Sequence, residues 1–269
     1  MELKSNQKID KLIELRSKIR GHEKLCHFSD ILDDEFVIGF LEGKKHDMHE
    51  TIFCLENYIE LRTVKYKKFI QPFLPSRASL LGTEFVNVLS SRDHHGRHVA
   101  VLNISAWNPL LISVQEVMVT GLFIFDEAVR RYVSISDEFV FIANFGGVSF
   151  EQAKAITPQR VFQILELYLK CLPGRPKALH IIHENFIMNG AVRILKYLLY
   201  TKLRERIHVH SKKLDSLHEH VRRTILPTSL GGTLTNEEAF DNGLMVKIRG
   251  NDGFYKSLEK KSDEVSSMR

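Results

Sequence analysis

The sequence predicts an α/β fold, with a helical N-terminal region preceding a mostly parallel sheet. Three observations carry this. The first seventy residues repeat apolar side chains at helical spacing, with charges between them. Beyond about residue 85, short β-rich runs alternate with helical segments, the pattern of crossover units. Finally, Phe139-Val140-Phe141-Ile142 is continuously apolar, as a strand covered on both faces requires.

In the N-terminal region, Ile9, Leu12, Ile13 and Ile19 define one helix. Asp33 caps a short helix carrying Phe36, Phe40 and Leu41, and Asp47 with Glu50 reads as a capping box. The helix this box opens places Met48, Ile52, Leu55 and Ile59 on one face. Pro72 and Pro75 end the helical texture. Two strands, Phe85 to Ser90 and Val99 to Ser105, then flank a polar turn with Gly96 and read as a hairpin. Ser113 and Glu116 form a second expected capping box, opening a helix to about Arg130. A strand at Glu138 to Asn144 follows, closed by Gly146-Gly147. Thr157-Pro158 caps a helix to about Cys171. Next come a strand at Ala178 to Ile182, a helix from about Phe186 to Tyr200 and a strand from Arg206 to His210. Beyond Leu234 periodicity is lost, and Lys260 to Arg269 read as a polar tail. The expected domains are 1–72, helical; 73–238, α/β; and 239–269, a C-terminal tail.

Composition bounds the function. The chain has 269 residues, 43% hydrophobic and 26% charged, enough apolar material for a sizeable core. No run approaches the ~18 apolar residues of a membrane span, and Met1 to Arg20 lacks the apolar stretch of a secretory signal. Cys26, Cys54 and Cys171 are widely spaced and read as reduced thiols, which favours the cytosol.

Two features point to a surface that meets apolar molecules. From Phe186 to Tyr200, eleven of fifteen residues are apolar or aromatic, more than the single stripe a surface helix needs. Such a helix is either buried in a core or lines a cavity for a nonpolar ligand. Beside it, Arg193, Lys196, Lys202, Arg204, Arg206, Lys212 and Lys213 face one acid, Glu205. Parallel strands bring Arg175, Lys177, Lys202 and Arg206 to one edge, a surface suited to anionic lipid. The net charge of +5 agrees with that, while interleaved exposed aromatics for nucleic acid are lacking. No catalytic constellation emerges: Gly146-Gly147 is no phosphate loop, and no serine or cysteine has an activating setting. The thirteen histidines, including the adjacent His94 and His95, join no cysteine or carboxylate at metal-ligand spacing, so neither metal nor cofactor is expected.

An ordered set of short motifs resembles the CRAL-TRIO lipid-binding family, in its branch of tocopherol and retinaldehyde carriers. They are Phe40-Leu41 with Lys44, Lys45 and Asp47; Ser91-Arg92-Asp93 with Gly96, Trp107 and Pro109; and Phe150 with Ile156-Thr157-Pro158. Leu179-His180-Ile181-Ile182, Arg206 to His210, and Leu226-Pro227 with Leu230-Gly231-Gly232 complete the set. The resemblance implies a helical domain before an α/β domain that encloses a hydrophobic cavity gated by a mobile helix. Cavity positions would be Met118, Gly121, Phe125, Phe139, Ala143, Ile164, Leu167, Tyr168, Leu179, Ala191, Ile194 and Leu195. The lid would carry Phe186, Val192, Leu198 and Leu199; phosphoinositide would meet Lys44, Arg175, Lys177, Lys202 and Arg206. The implied function is non-enzymatic carriage of one tocopherol-, retinoid- or other isoprenoid-like molecule to phosphoinositide-containing membranes, from the cytoplasm. The alternative is a membrane adaptor with a filled pocket. Two departures bear on the lid: His183-Glu184-Asn185 replaces the family's Asn-x-Pro, and Lys196-Tyr197 its Lys-Pro.

Overall fold

In the computed structural model, the described residues are 5–132, 138–171, 173–184, 186, 189–210 and 214–267. Helices α1 (Ser5–Gly21), α2 (Asp34–Gly43), α3 (Met48–Glu60) and α4 (Lys67–Ile70) form the N-terminal layer. Asp33 and Asp47 cap α2 and α3, each accepting a backbone N–H, from Phe36 and Glu50. Between α3 and α4 the chain makes one π-helical turn, Leu61–Lys65, which turns Arg62 inward.

The sheet has five strands in chain order: β1 (Val86–Val88), β2 (His98–Asn103), β3 (Glu138–Asn144), β4 (Arg175–Ile182) and β5 (Ile207–Val209). β1 and β2 are antiparallel, as the hairpin predicts, and the other pairs are parallel. The connections contain α5 (Val114–Arg131), α6 (Phe150–Ala155), α7 (Pro158–Leu169), α8 (Asn189–Leu198) and α9 (Thr201–Arg204). Each parallel connection steps to the next strand in one direction, so right-handed crossovers place these helices on one face. The core agrees: Ala100, Phe139 and Phe141 join α5 in one cluster, whereas Val99, Val101, Val140, Ile142, Ala178 and Ile182 face away from it.

That opposite face is covered by the chain around α10 (Asp215–His218) and α11 (Asn236–Ala239), through Leu217, Val221, Leu226, Leu230 and Phe240. The same segment protects the edge of β1: Ser90 N donates to Ala239 O and Asp241 N to Val88 O, both at 2.8 Å.

Two expectations need correction. In place of a polar tail, residues after 241 form α12 (Asn242–Arg249) and α13 (Asp252–Ser267), which bury Leu244, Ile248, Phe254, Tyr255 and Leu258 in the core of the N-terminal layer. And the two expected boxes, at Asp47 and Ser113, are half made: each side chain caps its helix without the return bond. Ser113 Oγ accepts from Glu116 N, but the Glu116 carboxylate turns to Ser79 N at 2.8 Å. Full capping boxes stand at Ser149/Gln152 and Thr235/Glu238.

Candidate functional site

The two faces of the sheet differ in how completely they are sealed. On the face away from the crossovers, Val140, Ile142 and Ile182 are fully buried. On the crossover face the register aligns Phe141, Leu179 and Ile207, then Ala143, Ile181 and Val209. There Phe141, Leu179 and Ile207 are only half-buried, and Val209 is 41% exposed. Apolar side chains of β3, β4 and β5 thus remain partly accessible on the crossover face.

Of the twelve expected cavity positions, Met118, Phe139, Ala143 and Leu167 are buried. Gly121, Phe125, Tyr168, Leu179, Ile194 and Leu195 are half-buried, and Ile164 is exposed. The side chain of Ala191 lies outside the described residues, as do Asn185, Lys212 and Lys213. Met118, Gly121, Phe125 and Tyr168 are joined by one arrangement that spacing does not reveal. The Tyr168 hydroxyl donates to the Met118 carbonyl at 2.8 Å, and its ring meets Phe125 edge-on at 6.0 Å. A Cβ at Gly121 would stand 2.1 Å from that hydroxyl, so glycine is what lets α7 reach across to α5. A cavity of about 230 Å³ opens elsewhere, between the N-terminal layer and α13.

α8 is apolar on two sides. Val192 and Leu199 are buried and Leu198 half-buried, whereas Tyr197 and Phe186 are 84% and 85% exposed. Tyr200 is exposed too, beside the exposed cations Arg193, Lys202 and Arg204. An apolar outer surface flanked by cations is what an interfacial membrane helix presents.

The five expected headgroup residues sit where the strands β4 and β5 begin. Arg175 and Lys177 lie on β4, Arg206 directly precedes β5, and exposed Lys202 is on α9. Arg206 Nη1 donates to the Pro176 carbonyl, tying the two strand starts together. Lys44 follows α2, whose last residue, Gly43, approaches Pro173 so closely that a Cβ would meet its carbonyl at 2.5 Å. The N-terminal layer therefore delivers Lys44 to the start of β4. Sequence reasoning overlooked one member of this edge: Glu138, paired with Arg175 at 3.1 Å and Lys177 at 3.0 Å. Its place in register opposite Arg175 was the available signal.

Sequence reasoning also missed the buried node that joins the helical layer to α5. Asp126 is fully buried and accepts from Arg62 at 2.5 Å, Tyr58 at 3.0 Å and Tyr255 at 2.9 Å. The Arg62 guanidinium also stacks 4.0 Å from the Tyr58 ring centre. Burial first, then the Asp126 charge, pushes both tyrosine hydroxyls well above their ordinary range, so they stay protonated and donate to the carboxylate. His98, just past the hairpin turn, is buried in β2 against Tyr132 and Phe139. Burial, then the Arg92 charge, lowers it to about 4. Among the described residues no group of three or more His, Cys, Asp or Glu side chains could hold a metal ion, and no helix is long and apolar enough to cross a membrane.

The CRAL/TRIO domain family matches residues 83–232. Clavesin-1 of Xenopus laevis is 27% identical over 204 residues, 75% of this chain and 61% of that protein. The human alpha-tocopherol transfer protein-like protein is 28% identical over 220 residues, 81% of this chain and 64% of that protein. The chain thus spans less than two thirds of the length of these relatives. The crystal structure of Sfh5 superposes with a TM-score of 0.56 at 10% identity, covering 92% of this chain and 97% of that one, a likeness of fold alone. With a domain match over more than half of its length, the chain belongs to the CRAL/TRIO family.

Proposed function

We propose that this chain is a non-enzymatic carrier of one hydrophobic small molecule, of tocopherol-, retinoid- or other isoprenoid-like chemistry, which it releases at phosphoinositide-containing membranes. The observation that carries this reading is the unequal sealing of the sheet. Apolar Phe141, Leu179, Ile207 and Val209 stay accessible on the crossover face, while Val140, Ile142 and Ile182 on the far face are fully buried. The ligand lies against that face and is held by Phe125, Tyr168, Ile194 and Leu195, with Val192 of α8 and Leu199 just after it as the inward side of the lid. Burying about 400 Å² of isoprenoid surface contributes about 10 kcal/mol before the costs of association. No covalent step is needed. At a membrane, Phe186, Tyr197 and Tyr200 enter the interface while Lys44, Arg175, Lys177, Lys202 and Arg206 meet phosphoinositide headgroups. Family membership and the name of the tocopherol-related relative support this reading.

The test is transfer of a fluorescent isoprenoid between vesicles with and without phosphatidylinositol bisphosphate. Charge reversal at Lys202 and Arg206 is expected to abolish the stimulation by that lipid; unchanged binding and transfer would refute the release mechanism.

A second reading, a phosphoinositide-binding adaptor with a filled pocket, is favoured by Tyr168, whose hydroxyl occupies the space above Gly121. It predicts vesicle binding by a protein that retains no ligand.

A further inference from the structure

On the face of the sheet away from the crossovers, four imidazoles meet. His180 and His208 are register partners on β4 and β5, so their side chains leave the same face side by side. His210 follows β5, and His220 comes from the covering segment just past α10. The ring centres of His180, His208 and His220 lie 5.0–5.1 Å apart, and that of His210 lies 5.1 Å from His180 and 5.9 Å from His220. His180 and His210 are buried, His208 is half-buried and His220 is exposed.

The rings are chained in a way that suits their neutral forms. His180 Nδ1 is 2.9 Å from His210 Nε2, and His210 Nδ1 is 2.9 Å from Ser216 Oγ. One proton fills the gap between the two rings, and Ser216 ties the chain to α10. A charged imidazole carries N–H on both nitrogens, so charging both rings would set two donors against each other across that gap. His180 Nε2 is buried without a hydrogen-bond partner, so a proton placed there meets no acceptor.

The charged groups facing the cluster give little relief. Arg97, in the turn before β2, adds positive charge near His180 while its Nε donates to Asp93 at 2.6 Å. Glu219, just past α10, favours the charged form of His210, and His218 of α10 instead meets the Leu230 carbonyl at 3.0 Å. Burial first, then the charges of His210, His220 and His208, lowers His180 to about 3. Burial, then His220, lowers His208; burial, then His220 and His208, lowers His210.

We propose that these four histidines form an acid-sensitive staple: neutral, they pin the segment that covers the sheet to β4 and β5, and protonated, they release it. A free histidine titrates near about 6.5, so below that pH the opened form binds more protons than the closed one. The closed form is therefore fully favoured above about pH 6.5 and loses ground as pH falls toward about 5. What it releases is β5, a three-residue edge strand with β4 as its neighbour, together with its cover. The other side of β5 carries Ile207 and Val209, so opening loosens the ligand wall and acid promotes discharge. That last step rests on the carrier reading; the opening itself does not.

The experiment is hydrogen–deuterium exchange of the full chain at about pH 7.5 and about pH 5, corrected for the intrinsic exchange rates. Exchange over residues 207–210 and 214–230 is expected to rise at least about tenfold at the lower pH relative to α2 and α3, and the H208Q/H220Q double variant to keep its protection. Both replaced side chains are accessible, and circular dichroism verifies that the variant folds. Glu219→Gln, an exposed change that removes the acid facing His210, is expected to move the opening to higher pH. Because His98 titrates in the same window from the opposite face, the local readout separates the two. Equal protection at both pH values would overturn the proposal, as would an equally large loss in the double variant. Loading the chain with a fluorescent isoprenoid separates the two readings: a label retained while the segment opens overturns the acid-driven discharge alone, and a chain that never takes up the label counts against the carrier reading while the staple stands.

Discussion

Replacing Asp126 by alanine removes the one carboxylate that Arg62, Tyr58 and Tyr255 share in the buried node. Arg62 cannot follow its lost partner into water: its side chain is 2% exposed and is packed on the Tyr58 ring. Breaking a buried pair by removing one member costs about 3–5 kcal/mol, chiefly from the charge left behind. At about 2.1 cal/mol/K per residue, unfolding a chain of 269 residues has an entropy near 0.56 kcal/mol/K, so Tm should fall by about 5–9 °C. Tyr255→Phe removes a single donor and should cost about 1 kcal/mol, or ~2 °C. Because the cost is that of an orphaned charge, the double variant R62M/D126L should recover most of the loss. Differential scanning calorimetry of all three variants checks this. A fall for D126A no larger than that for Y255F, or a double variant as unstable as D126A, would refute the reasoning.

Three further outcomes follow from the geometry of the site. Glu138→Gln removes the anion shared by Arg175 and Lys177 and should tighten binding to phosphoinositide vesicles severalfold at low salt, an effect that co-sedimentation should show fading as ionic strength rises. Gly121→Ala should destabilise the chain through the clash with the Tyr168 hydroxyl, and Tyr168→Phe, by removing that hydroxyl, should relieve part of the loss; additive effects in denaturant unfolding would show that the two residues do not meet. His98 has a folded-state pKa of about 4 against about 6.5 unfolded, so between those values the unfolded chain binds more protons. Its contribution to stability is therefore complete above pH 6.5 and lost as pH falls toward 4, and His98→Gln should flatten the stability profile in that window by up to one proton.

Local chemistry was legible in the sequence and long-range pairing was not. Asp33, Asp47 and Thr157 announce their helices because an N-cap acts within one turn. The β2–β3–β4–β5 alternation announces its crossovers for a similar reason, each unit carrying its own apolar period. Glu116 shows where this stops: a carboxylate at the right spacing preferred a backbone donor 37 residues away. The buried face of α13 was within reach, since Phe254, Tyr255, Leu258 and Ser262 keep helical spacing, but their polar neighbours masked it. The candidate site divides in the same way. Excess apolarity marked α8, and clustered cations marked the strand starts. Glu138 within that cationic edge, Tyr168 above Gly121, and His180 beside His208 arise only from register and packing between distant segments.

The central claim, that the accessible sheet face holds a hydrophobic molecule, is tested most directly by native mass spectrometry of the purified chain, followed by solvent extraction and identification of what it carries. The account predicts one nonpolar molecule per chain, or stoichiometric uptake of an added isoprenoid that bulky substitution at Leu179 blocks. A chain that is empty and refuses isoprenoids, phospholipids and fatty acids alike would contradict it and leave the adaptor reading in its place.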